Sequence, residues 1–140
     1  MSEPPDQVPG RPLLDRLGVK RGMRVVLVDF EDERFRAELA ERGATVQVPG
    51  ATGLDLVFYW VGRASDLLRV RELRPLIHDA GAIWVLRAKG PARTVREVDV
   101  IDAGRTFDLV DNKIASFSDT VAAMRLVVPL DQRGKKGGSS

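Results

Sequence analysis

Four carboxylates crowd into five positions at Asp29, Glu31, Asp32 and Glu33, directly after the largely apolar run Met23–Val28. That density of oxygen donors could hold a magnesium ion or a cationic ligand. It is equally what the positive end of a helix dipole collects, and this simpler reading is preferred. The same charge argues against a nucleotide phosphate, which carboxylates at a helix start would repel. Phe30 sits inside the acidic turn, and Trp60 closes a second apolar run, Leu54–Trp60, where it could stack on a ring. Trp84 falls mid-way through a third run, Ala82–Leu86, and reads as core. Arg87 and Lys89 follow that run and Arg63 follows Trp60, so each could hold an anion, although loop cations are commonly just solvated. His78 reads as a helical, structural residue with no acid–base partner nearby in sequence. Ser65 reads as a helix N-cap, not a nucleophile, because no glycine-flanked elbow surrounds it. No catalytic constellation and no metal site emerge. Asp29, Phe30, Trp60 and Lys89 form the candidate ligand crevice.

These residues need elements to hold them. Arg11–Leu17 can form a short helix opened by Pro12 and closed by Gly18. Arg24–Asp29 is apolar on both faces, as a buried parallel strand requires. A helix over Glu31–Arg42 follows, with Phe35 and Leu39 on one face and Gly43 as its stop. Thr45–Val48 alternates in polarity like a short edge strand, and Leu54–Trp60 is a second central strand. A helix from Ser65 is expected to kink or restart at Pro75 and to end at Gly81, before a strand over Ala82–Leu86. Thr94 and Glu97 are spaced as a capping box for a helix reaching Ala103, with Gly104 as its stop. Strands over Phe107–Phe117 and Val121–Val128 are joined by a link short enough to demand antiparallel neighbours.

Length and composition bound the possibilities. The 140 residues suit one domain, expected over residues 11–130 between a disordered arm (1–10) and a disordered basic tail (131–140). With no cysteine and one histidine, disulfides, thiolate sites and multi-histidine metal sites are excluded. No apolar run approaches the ~20 residues of a membrane span, and the opening MSEPPDQVPG lacks a signal-peptide pattern, so a cytoplasmic protein is expected. The pI near 9.3 comes from the tail. Without Arg133, Lys135 and Lys136, the body carries one more acid than base.

Strands alternating with helices, then a closing hairpin, describe a right-handed βαβ sheet finished by an antiparallel strand. Here LGVKRGMRVVLVDF resembles the opening of class I S-adenosylmethionine-dependent methyltransferases, LDLVFYW their fourth strand and HDAGAIWVLRAKG their fifth. The chain is also similar to a family of small bacterial methyltransferase-like proteins of unknown function. It shares their LG-x-K-x-G-M-x-V opening and a phrase carried here by Gly81, Trp84, Val85 and Lys89. The resemblance covers residues 13–129. It implies an α/β three-layer sandwich around a mostly parallel six-stranded, Rossmann-like sheet of order 2-1-3-4-6-5, the last strand antiparallel. A ligand would then meet Asp29, Phe30 and Trp60 at the switch point between strands 1 and 3.

The family pattern is broken where the cofactor would lie. Its glycine-rich turn is replaced by Asp29-Phe30-Glu31-Asp32-Glu33, and its acidic end to the second strand by Val48-Pro49-Gly50. One strand of the usual set is missing, since only PGATG separates the second strand from the next. No Asn-Pro-Pro-aromatic phrase follows Tyr59-Trp60. The expected function is therefore a non-catalytic methyltransferase-like domain without cofactor, acting through a small molecule or a protein partner. A methyltransferase using S-adenosylmethionine through a divergent turn is one alternative. A nucleic-acid-associated factor gripping phosphates through its basic tail is the other.

Overall fold

The computed structural model describes residues 12–132; most of the expected arm and tail lie outside them. Six strands form one sheet: β1 (Arg24–Val28), β2 (Thr45–Val46), β3 (Leu54–Trp60), β4 (Ile77–Ala88), β5 (Val110–Ser116) and β6 (Val121–Val127). Their order is β2-β1-β3-β4-β6-β5, as expected from sequence. β2, β1, β3 and β4 run parallel, while β6 pairs antiparallel with both β4 and β5. The alternation of a strand divides its side chains between two cores. Val25, Leu27, Phe58, Trp84 and Leu86 face one side, where α1 (Leu13–Arg16) and α2 (Glu33–Arg42) pack. Val26, Val57, Tyr59, Ile83 and Val85 face the other. That side is covered by the 3-10 segment Ala64–Arg69, by α3 (Val70–Leu73) and by α4 (Glu97–Thr106). The result is three layers.

Element boundaries moved for identifiable reasons. The first helix is shorter than expected, because Pro12 serves as its N-cap and Gly18 takes a left-handed φ of 76° just beyond it. α2 begins at Glu33 and not Glu31, since the Asp32 side chain caps it by accepting from the Phe35 N–H at 2.9 Å. β2 keeps only Thr45 and Val46 before the chain reaches Pro49 and Gly50.

The largest revision concerns residues 64–81. In place of one kinked helix, the chain runs through Ala64–Arg69, α3 and a last 3-10 turn, Arg74–Leu76, that contains Pro75. β4 then starts at Ile77, so His78 and Gly81 are strand residues. Ile77 pairs with Leu54 and Ala82 with Leu56, so more residues of β4 than of β3 lie between the two pairings. His78 pins this bulge. Its Nδ1 accepts from the Ala80 N–H (3.1 Å), which leaves Nε2 as the protonated nitrogen donating to Asp55 (2.7 Å). The other Asp55 oxygen accepts from the Arg24 N–H at 2.8 Å. Burial alone would raise the Asp55 carboxyl. The hydrogen bonds from Arg24 and His78 outweigh it and hold Asp55 below the ordinary carboxylate value.

Two further expectations at helix ends give way. The α4 cap is Arg96-x-x-Asp99, with the Asp99 carboxylate accepting from the Arg96 N–H at 3.0 Å; Thr94 instead donates to the Gly62 carbonyl at 2.6 Å. Gly104 does not stop α4. It lies inside the helix, where a Cβ would come within 3.0 Å of Leu126 Cδ2, and so lets α4 settle closely on β6. β5 consequently starts at Val110, not Phe107, after Asp108 turns the chain at a φ of 65°.

Candidate functional site

The switch point lies where β1 and β3 end side by side, with Val28 paired to Tyr59. α2 leaves β1 on one face of the sheet, whereas the connection leaving β3 crosses on the other. A crevice between the two strand ends is the usual ligand position of such sheets. Asp29 and Phe30 follow β1 and Trp60 ends β3, so three of the four candidate residues meet there. Lys89 does not join them. It follows β4 and its Nζ donates to Ser116 Oγ at 2.9 Å, which ties β4 to the closing hairpin.

On the α2 side the turn is filled by aromatic rings. Phe30 meets Phe117 edge-on at 5.4 Å and Phe35 at 6.1 Å; Phe35 in turn meets Phe117 at 4.9 Å and Phe58 at 5.0 Å. Trp60 is half-buried against the same core. On the opposite side Asp29 Oδ2 accepts from Arg69 at 2.8 Å, and the Arg69 guanidinium sits 5.8 Å from the centre of the Tyr59 ring. The two sides are unequal in energy. An ion pair this exposed stabilises by about 0.2–1 kcal/mol, whereas each edge-to-face ring pair contributes about 0.5–1.5 kcal/mol beyond its burial. The rings hold the turn, and the ion pair trims it.

Asp29 adopts a φ of 54°, a left-handed conformation in which aspartate is tolerated but glycine is at home. At this one position the backbone takes a conformation suited to glycine, while Phe30 packs into the ring cluster beside it. Glu31 and Asp32 have separate tasks: Glu31 lies 3.5 Å from Arg36 and Asp32 caps α2. Among the described residues no three His, Asp or Glu side chains converge as a metal site would need.

Sequence reading missed Arg69 and Phe117, which come from 40 and 87 positions away to meet Asp29 and Phe30. Only the pairing of the closing hairpin with β4 brings Phe117 to this end of the sheet. Arg87 is 6% exposed, donates to the Val95 carbonyl at 3.1 Å and lies 3.6 Å from Glu97; it props the loop before α4 and is not free for an anion. Ser65 is not the N-cap of the 3-10 segment, which is Arg63; Asp66 accepts from the N–H groups of Gly62 and Arg63 ahead of it. Trp84 is core, fully buried with Nε1 donating to the Leu17 carbonyl.

Tyr59 gives this region a spectroscopic handle. It is 1% exposed, its hydroxyl donates to the Asp66 carbonyl at 2.6 Å, and burial pushes its pKa up to about 12, with the nearby Asp66, Asp29 and Glu72 charges adding to the effect and Arg69 opposing it. The neutral phenol is the form the fold favours. Its contribution to stability is therefore complete below the ordinary tyrosine pKa and is lost as pH rises through about 12. The chain has a single tyrosine, so an ultraviolet phenolate titration reads Tyr59 alone. The native protein is expected to show no phenolate step in the ordinary range near 10, a step that the urea-unfolded chain should restore.

No protein-family model matches the chain, and no curated protein matches it in sequence. Solved structures do match its fold. A SAM-dependent methyltransferase from Aquifex aeolicus superposes with a TM-score of 0.65 at 13% identity, over 84% of this chain and 88% of that one. A TehB-like SAM-dependent methyltransferase from Corynebacterium glutamicum gives 0.60 at 12% identity, over 84% and 85% of the two chains. The 1,6-didemethyltoxoflavin-N1-methyltransferase of Burkholderia thailandensis, solved with 1,6-didemethyltoxoflavin and S-adenosylhomocysteine bound, gives 0.56 at 12% identity, over 81% and 73%. At such identities the likeness concerns architecture alone. By sheet order, strand direction and these likenesses, the chain has the class I methyltransferase-like fold.

Proposed function

We propose that this methyltransferase-like domain is non-catalytic and acts by binding, with a protein as its partner. The observation that carries this reading is the ring cluster of Phe30, Phe35 and Phe117 at the turn after β1. A cofactor's methionine and ribose need bare backbone to lie against, and here that surface carries an aromatic side chain anchored by two others. The Asp29–Arg69 pair adds a second link on the far side of β3.

One observation favours a second reading, a methyltransferase with a divergent cofactor turn: Asp29 keeps a φ suited to glycine. Calorimetric titration of the full chain with S-adenosylmethionine and with S-adenosylhomocysteine separates the two. The non-catalytic reading expects no saturable heat with either. Micromolar binding of either compound would transfer the case to the second reading.

A further inference from the structure

The layer that links β3 to β4 and β4 to β5 spends its acids and keeps its bases. Asp66 is held by the N–H groups of Gly62 and Arg63. Glu72 lies 3.7 Å from Arg69, Glu97 3.6 Å from Arg87 and Asp99 2.9 Å from Arg96. Only Asp102 and Asp108, of the acids in this layer, lack such a partner among the described residues. By contrast Arg63, Arg71, Arg74, Arg93 and Arg105 in the same layer pair with no carboxylate among the described residues. Four of the five are exposed and Arg74 is half-buried. The Thr94–Gly62 hydrogen bond brings the loops bearing Arg93 and Arg63 together at one end of this layer. Folding gains nothing from such an excess, because like charges on one face repel.

Apolar surface accompanies it. Leu68 is 69% exposed on the segment before α3, and Val98 is 46% exposed in the first turn of α4. The exposed large hydrophobics of the described residues are all aliphatic. That composition discriminates between anionic partners. Single-stranded nucleic acid gains from stacking on aromatic rings, which this face does not offer. A duplex backbone would use the arginines and leave Leu68 and Val98 idle. A protein segment uses both, since guanidinium forks bind carboxylates through two parallel hydrogen bonds and aliphatic side chains cover aliphatic ones.

We propose that this outer layer is a docking surface for an acidic, amphipathic segment of a partner protein. The proposal rests on the binding function argued above and names the chemistry of its partner. The probe is a fluorescein-labelled synthetic helix of about 20 residues, long enough to cross the domain, with glutamates on one face and leucines on the other. Anisotropy with the full chain should show binding that weakens steeply as salt is raised. The triple variant R71E/R93E/R105E should bind at least about tenfold more weakly, as expected when several charge-assisted contacts are reversed. The double variant L68S/V98S should also lose affinity, and both variants should melt like the parent. Absence of binding, full affinity in the triple variant, or tighter binding of an RNA duplex or of anionic phosphatidylglycerol vesicles would overturn the proposal. Titrating S-adenosylmethionine into the same samples keeps the two questions apart. Heat in that arm would end the non-catalytic reading and leave the peptide result standing on its own.

Discussion

Replacing Trp84 with alanine is expected to cost about 3–5 kcal/mol of folding stability, the range for removing a large buried aromatic side chain. Trp84 is fully buried at the centre of β4, between Phe58 of β3 and the α1 layer, so nothing nearby can swing in to refill its volume. The loss is also polar. The indole N–H donates to the Leu17 carbonyl at 3.0 Å, and its removal leaves that buried acceptor without this partner, at about 1 kcal/mol or more. Against a total stability of about 5–15 kcal/mol for a domain of this size, that is a large share. Urea denaturation checks it: the midpoint should fall sharply with little change in slope. Trp84→Phe separates the two contributions, since it keeps most of the volume and forfeits only the hydrogen bond. If Trp84→Ala unfolds at the parent's midpoint, the packing of α1 on the sheet is wrong as described.

The second large effect is expected at Gly81, for the opposite reason. A Cβ there would stand 2.7 Å from the Leu54 carbonyl oxygen, 3.1 Å from that of Asp55 and 3.0 Å from Ile77 Cβ. Two of these three neighbours are backbone oxygens of the adjacent strand, so no side chain can turn aside to make room. Gly81→Ala should cost about 1–3 kcal/mol through overpacking, and Gly81→Val more. The β4 bulge and the Asp55–His78 clamp would have to spread to admit it. Comparing the melting of Gly81→Ala with that of Gly104→Ala is the internal control. At Gly104 the closest atom is the Leu126 Cδ2 methyl, which can shift, so the smaller loss belongs there.

The same two positions show how far the chain can be read without coordinates. Trp84 was legible as core because a β-rich apolar run bounded by turn signals has one common home, a strand covered on both faces. Strand order was implied by the resemblance to class I methyltransferases, while the three-residue closing link required only that the last two strands be antiparallel neighbours. Gly81 was not legible. A glycine after a helical pattern looks like a stop, and only the approach of the Leu54 carbonyl reveals that it is a contact residue in a strand. His78 failed for a related reason: its partner Asp55 is 23 positions away on a neighbouring strand, and no local pattern links them. At the candidate site, the strand pattern was enough to bring Asp29, Phe30 and Trp60 to the neighbouring ends of β1 and β3. The contact of Lys89 with Ser116 was not legible, because nothing local links the two positions. Arg69 and Phe117, which decide how the turn is filled, arrive only with the tertiary fold.

The central claim is that aromatic side chains occupy the surface a cofactor would need after β1. The most direct measurement is a residue-resolved NMR titration of the full chain with S-adenosylhomocysteine, following the amides of Asp29, Phe30 and Phe117 and the indole of Trp60. These signals are expected to stay in place up to millimolar ligand. Saturating shifts confined to those four residues would contradict the account, because the ring cluster would then have opened to admit the ligand.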